Sequence, residues 1–216
     1  MNLNLALWEQ TRKQLELHDL VINDKFIFIQ IPKTGSTSVV TELKNINLTK
    51  NIKCFRHEGL RYIQHLYQNK NLPVYAIVRN PYRQVLSYFF HRINYGELFV
   101  NKNKIISEFR KWCKECELSK NIHLLQNKYL ETNNQIIKEK MKVFKFEDGI
   151  DFFINYLNTH HDLNLNTNIH TNMNKVTEYK NIPFLDFFDE TTINIIKRDL
   201  KNQFELFHYS TDIKKA

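Results

Sequence analysis

The stretch "KFIFIQIPKTGSTSVVTEL", residues 25–43, constrains this chain more than any other. An apolar run of strand length enters a turn that crowds together a lysine, a glycine and four hydroxyl side chains. The chain then continues with helical spacing. The same order recurs downstream. "LPVYAIVRN" (72–80) is an apolar strand, and Pro81 opens the helical "PYRQVLSYFFHRIN" at a favoured first position. "KMKVFKFEDG" carries a further strand at 142–146, followed by the helical "IDFFINYLNT". "NIKCF" (51–55) is a short strand candidate, and "HEGLRYIQHLYQNK" (57–70) has helical spacing. "KIISEFRKWCKECEL" and "DETTINIIKRDLKNQFELF" are helical, the latter capped by Asp189. The N-terminal "MNLNLALWEQTRKQLEL" reads as an amphipathic helix packed on the domain. Apolar strands alternating with helices predict a parallel sheet covered on both faces, an α/β fold. With 216 residues, and only four glycines and four prolines to build linkers, one domain over 1–216 is expected.

Right-handed crossovers bring the C-terminal ends of parallel strands to one edge, where ligands of such sheets bind. The loops after "FIFIQI" and "VYAIV" are therefore expected to face one site. In the first, a helix N-terminus suits a phosphate-like anion, Gly35 lets the backbone approach closely, and Lys33 adds a full charge. Thr34, Ser36, Thr37 and Ser38 offer hydroxyl donors. The plain alternative is that the hydroxyls cap the helix and Lys33 is solvated. In the second loop, Arg79 suits a bidentate phosphate contact, and Ser87 follows eight residues later. The alternative for Arg79 is a structural ion pair, and Arg83 reads best as a surface residue or a brace.

The turn is close to, but not, the P-loop pattern G-x-x-x-x-G-K-[ST]. "IPKTGSTSV" instead resembles the 5′-phosphosulfate loop of sulfotransferases that use 3′-phosphoadenosine 5′-phosphosulfate (PAPS), and "VRNPYRQVLSYF" resembles that family's 3′-phosphate motif. "KVFKFEDGIDFF" and "LKNQFELFHY" are looser likenesses to later family segments. The resemblance implies a P-loop-type three-layer sandwich, a central parallel sheet flanked by helices. It also implies that Lys33, Thr34, Gly35, Ser36, Thr37 and Ser38 cradle the 5′-phosphosulfate while Arg79 and Ser87 hold the 3′-phosphate. Ser36 stands where the glycan-modifying branch has a second glycine, as in the cytosolic branch. The implied reaction is sulfuryl transfer to an acceptor hydroxyl, first of all on a carbohydrate, with a tyrosine or small molecule as alternatives. His57, in "KCFRHEGL", resembles the general base of bacterial members, with Glu58 as backup and Arg56 as a substrate contact or surface residue. Asn174 and Lys175 fall in a loop that resembles, poorly, one that closes over the cofactor.

The net charge of +8 agrees with a polyanionic ligand but is equally the mark of a lysine-rich surface. No nucleic-acid-binding motif occurs, so no nucleic-acid partner is expected. No apolar run reaches the roughly 18–20 residues that span a bilayer. Cys54, Cys113 and Cys116 form no disulfide framework, and Cys113 and Cys116 lie in a helical stretch without the further ligands that zinc needs. A reduced, cytoplasmic enzyme of microbial or viral type, with PAPS as co-substrate and no metal, is the expectation. Two rival readings stay open: a P-loop kinase of nucleotides or small molecules, and a non-catalytic polyanion-binding module of the same fold.

Overall fold

A computed structural model describes residues 20–22, 25–46, 60, 72–93, 102–167 and 181–216, with no side-chain description at 20–22 and 93. Its sheet has four strands in the order β1 (Leu20–Ile22), β2 (Ile27–Ile29), β3 (Val74–Val78) and β4 (Met141–Lys145). β2, β3 and β4 run parallel, with Ile29 opposite Ala76 and Val78 opposite Lys145. β1 pairs antiparallel with β2 at the edge. The parallel core is the expected one. β1 was not expected: its three residues carry no period that separates a strand from a helix. The candidate strand 51–55, the N-terminal helix and all of helix 57–70 but Leu60 lie outside the described residues.

Eight α-helices accompany the sheet among the described residues: α1 (Ser36–Asn45), α2 (Pro81–Ile93), α3 (Lys102–Glu115), α4 (Gln126–Leu130), α5 (Gln135–Lys140), α6 (Ile150–His161), α7 (Glu190–Asp199) and α8 (Lys201–Leu206). Alternation along the strands divides the core, because successive side chains point to opposite faces. Phe26, Phe28, Tyr75, Ile77 and Phe144 pack against Val39, Val40 and Leu43 of α1 and Phe153, Ile154 and Leu157 of α6. Ile27, Ile29, Val74, Ala76 and Val78 pack on the other face with Leu60, Tyr129, Leu130 and Phe207. A strand buried on both faces must be apolar at every position, and all five residues of β3 are buried. A third cluster joins α2, α3 and α7 through Val85, Phe89, Phe109 and Ile196. The expected last helix is broken at Leu200 into α7 and α8. Asp189 caps α7 as expected, accepting the Thr192 N–H at 2.8 Å. Among the described residues no helix is long and apolar enough to cross a membrane.

Candidate functional site

The register of β2, β3 and β4 brings three loops to one edge: 30–35, 79–80 and 146–149. The first loop turns through the left-handed region twice, with φ of 65° at Lys33 and 78° at Gly35. Thr34 and Ser36 make this possible. Their hydroxyls both donate to the carbonyl of Ile31, at 2.9 and 3.0 Å, and fold the turn back on the end of its strand. Both side chains are buried. The sequence counts four hydroxyl donors for an anion, but two of these spend their hydrogen on Ile31. Swinging either one toward a ligand means giving up that bond. Thr37 is exposed and Ser38 buried in the first turn of α1. That helix starts at Gly35 with no side-chain cap and no acidic residue in its first turn. Its partial positive charge is therefore offset by none of its own first-turn side chains.

Gly35 is required twice over. A Cβ at this position would meet Ile150 Cδ1 at 2.5 Å and Phe146 Cε2 at 2.7 Å. The third loop thus roofs the first.

Arg79, at the end of β3, reaches into the first loop and donates from Nη1 to the Lys33 carbonyl at 3.0 Å. Its guanidinium lies over the Phe146 ring at 4.3 Å. Its backbone is held on both sides by one side chain: Arg79 N–H donates to Gln126 Oε1 and Gln126 Nε2 donates to the Arg79 carbonyl, each at 2.7 Å. Gln126 is fully buried and serves Arg79 as a further strand would. Its own N–H donates to Gln203 Oε1 at 3.0 Å. Arg79 Nε is buried and makes no hydrogen bond. A buried donor left unanswered costs about 1–3 kcal/mol, so this atom is a natural target for an anionic oxygen.

The two cations feel each other and their burial. Burial, then the charge of Arg79, pulls the Lys33 ammonium down to about 8. Burial likewise lowers Arg79 to about 10; Glu147 opposes the fall and Arg83 adds to it. Both stay charged at neutral pH, and a site that holds two like charges together favours an anion between them.

Glu147 stands behind this pair. Its Oε1 accepts the Asn80 N–H at 3.0 Å and its Oε2 the Tyr209 hydroxyl at 2.8 Å. Asn80 Oδ1 caps α2 by accepting the Tyr82 N–H at 3.0 Å. Gln84, fully buried, donates to the Pro32 carbonyl at 3.2 Å and so ties α2 to the first loop. Arg83 proves a brace, donating to the Ala216 carbonyl at 2.8 Å and stacking on Phe184. Ser87 is half-buried on α2, about 9 Å along the axis from Pro81 at 1.5 Å per residue.

The structure therefore joins Lys33, Thr34, Gly35, Ser36 and Arg79, and places Ser87 on the helix that leaves their site. His57, Glu58, Arg56, Asn174 and Lys175 lie outside the described residues. Sequence reasoning assigned no role to Phe146, Glu147, Gln126, Gln84 or Tyr209. For Phe146 and Glu147 a signal existed, since they follow the third parallel strand as Arg79 follows the second. For Gln126 and Gln84 none did. Cys113 is buried and Cys116 partly so, and burial pushes both thiols up, away from the thiolate that redox or metal chemistry needs. A depression of about 590 Å³ on α3, lined by Asn103, Arg110, Lys111 and Lys114, lies away from the strand ends.

Comparison with protein-family models, with curated proteins and with solved structures found no match.

Proposed function

We propose that this chain is a PAPS-dependent sulfotransferase of P-loop-type architecture, moving a sulfuryl group to an acceptor hydroxyl, first of all on a carbohydrate. One observation supports the reading best. The loops after two adjacent parallel strands each carry a cation, and Arg79 Nη1 meets the Lys33 carbonyl at 3.0 Å beside the uncapped start of α1. Two linked but separate cationic loops suit a nucleotide with phosphates at two positions. The motif resemblance points the same way, and the buried, unanswered Nε of Arg79 fits an anionic partner.

PAPS supplies the activated sulfuryl group, and the protein supplies placement and charge. The Lys33 turn would hold the 5′ end, with Lys33 stabilising the charge that develops on the departing phosphate oxygen. Arg79 and Ser87 would hold the 3′-phosphate and fix the register of the nucleoside. His57 would accept the proton of the attacking hydroxyl, a role resting on the sequence motif alone.

A sulfate-transfer assay over an acceptor panel, with K33A and H57A variants, tests the proposal. Both substitutions are expected to lower turnover at least a hundredfold. Undiminished activity in either removes the mechanism. Preference for ATP with Mg²⁺ over adenosine 3′,5′-bisphosphate would turn the reading toward a kinase. Binding of the bisphosphate with no transfer to any acceptor would turn it toward a binding module.

A further inference from the structure

Arg79 comes from the second motif, but residues outside both motifs hold the peptide that carries it. Glu147 binds the next backbone N–H, that of Asn80, at 3.0 Å. Its charge also favours the charged guanidinium of Arg79. Tyr209 holds Glu147 in turn: its hydroxyl donates to Glu147 Oε2 at 2.8 Å and lies 3.3 Å from the Val78 carbonyl. Further bonds press segment 208–216 against the same loop. Tyr82 donates to the Thr211 carbonyl at 2.9 Å, and Lys145 donates to the His208 carbonyl at 3.2 Å while lying over the Tyr209 ring. Val78, Asn80 and Tyr82 all flank Arg79 in sequence. Each oxygen of the exposed Glu147 carboxylate accepts one of these bonds, and the two together fix its position.

We propose that Glu147, clamped by Tyr209, is the positioning residue that aims Arg79 at the ligand's second phosphate. The inference rests on the reading that Lys33 and Arg79 serve a nucleotide with two separate phosphates. Glu147 touches no reacting atom. It sets where the guanidinium lies and leaves the Lys33 turn alone.

Calorimetric titration of the full chain, its E147Q variant and its Y209F variant with two nucleotides tests this. Adenosine 3′,5′-bisphosphate engages both loops, and adenosine 5′-monophosphate engages only the Lys33 turn. E147Q keeps an acceptor for Asn80 but loses the charge. It is expected to weaken the bisphosphate about three- to tenfold, the range for one charge-assisted contact near solvent, and to change the monophosphate by less than about twofold. Y209F is expected to act in the same direction. An equal loss of both ligands would show a general structural role, and unchanged or tighter bisphosphate binding would show that Glu147 does not aim Arg79. Each of these overturns the inference while the wild-type affinities leave the underlying reading standing. A wild-type chain that binds neither nucleotide overturns the reading, and the inference with it.

Discussion

Replacing Gly35 by alanine tests the central geometry without assuming any ligand. The residue sits at φ 78°, where a Cβ costs about 1 kcal/mol. The added methyl would also lie 2.5 Å from Ile150 Cδ1 and 2.7 Å from Phe146 Cε2. Ile150 Cδ1 is the far end of a flexible chain and can swing aside. The Phe146 ring is less free, because the Arg79 guanidinium stacks on it at 4.3 Å. Overpacking of this kind costs about 1–3 kcal/mol. The sum, about 2–4 kcal/mol, corresponds to a fall in melting temperature of about 4–16 °C for a chain of this size. Thermal unfolding followed by circular dichroism measures it. Pairing G35A with I150V, which removes the offending methyl, separates the two terms: the double variant should recover at least about 0.5 kcal/mol relative to additivity. A drop in G35A below about 3 °C would refute the packed left-handed turn. A large drop with no recovery would locate the strain in the backbone or at Phe146 instead of at Ile150.

The ammonium of Lys33 gives a pH dependence with a definite sign. Held near 8 by burial and Arg79, it loses charge as pH rises through that value, and affinity for adenosine 3′,5′-bisphosphate is expected to fall over the same range in a titration series. Its folded value lies below the ordinary 10.5, so the unfolded chain binds more protons between about 8 and 10.5 and stability should rise with pH there; K33M should flatten that rise in urea unfolding. Cutting Phe153 to alanine removes a ring stacked on Phe28 at 5.3 Å in the sheet–helix core, with an expected cost of about 3–5 kcal/mol by urea denaturation. D189A deletes the acceptor for Thr192 N–H at the start of α7 and should cost about 1 kcal/mol by the same measurement.

The sequence by itself determined the parallel strands, most of the helices and the fact that two cation-bearing loops share an edge. The reason is local. An unbroken apolar run of strand length such as "VYAIV", bounded by Pro and Asn-Pro, suits a strand covered on both faces, and a lysine-glycine-hydroxyl turn suits the start of a helix. Asp189 was legible as a cap for the same reason, since a cap is decided within four residues. Tertiary structure decided how the hydroxyls are used. Nothing in "PKTGSTS" says that Thr34 and Ser36 bind Ile31, because that depends on how the turn folds back on its strand. It also decided what surrounds Arg79. Gln126 and Tyr209 reach it or its neighbours from 47 and 131 positions away, counting from Arg79 and Val78. Contacts at such separation leave no periodic trace in a sequence. They arise because burying a strand end obliges some distant side chain to satisfy the backbone groups that the sheet no longer pairs.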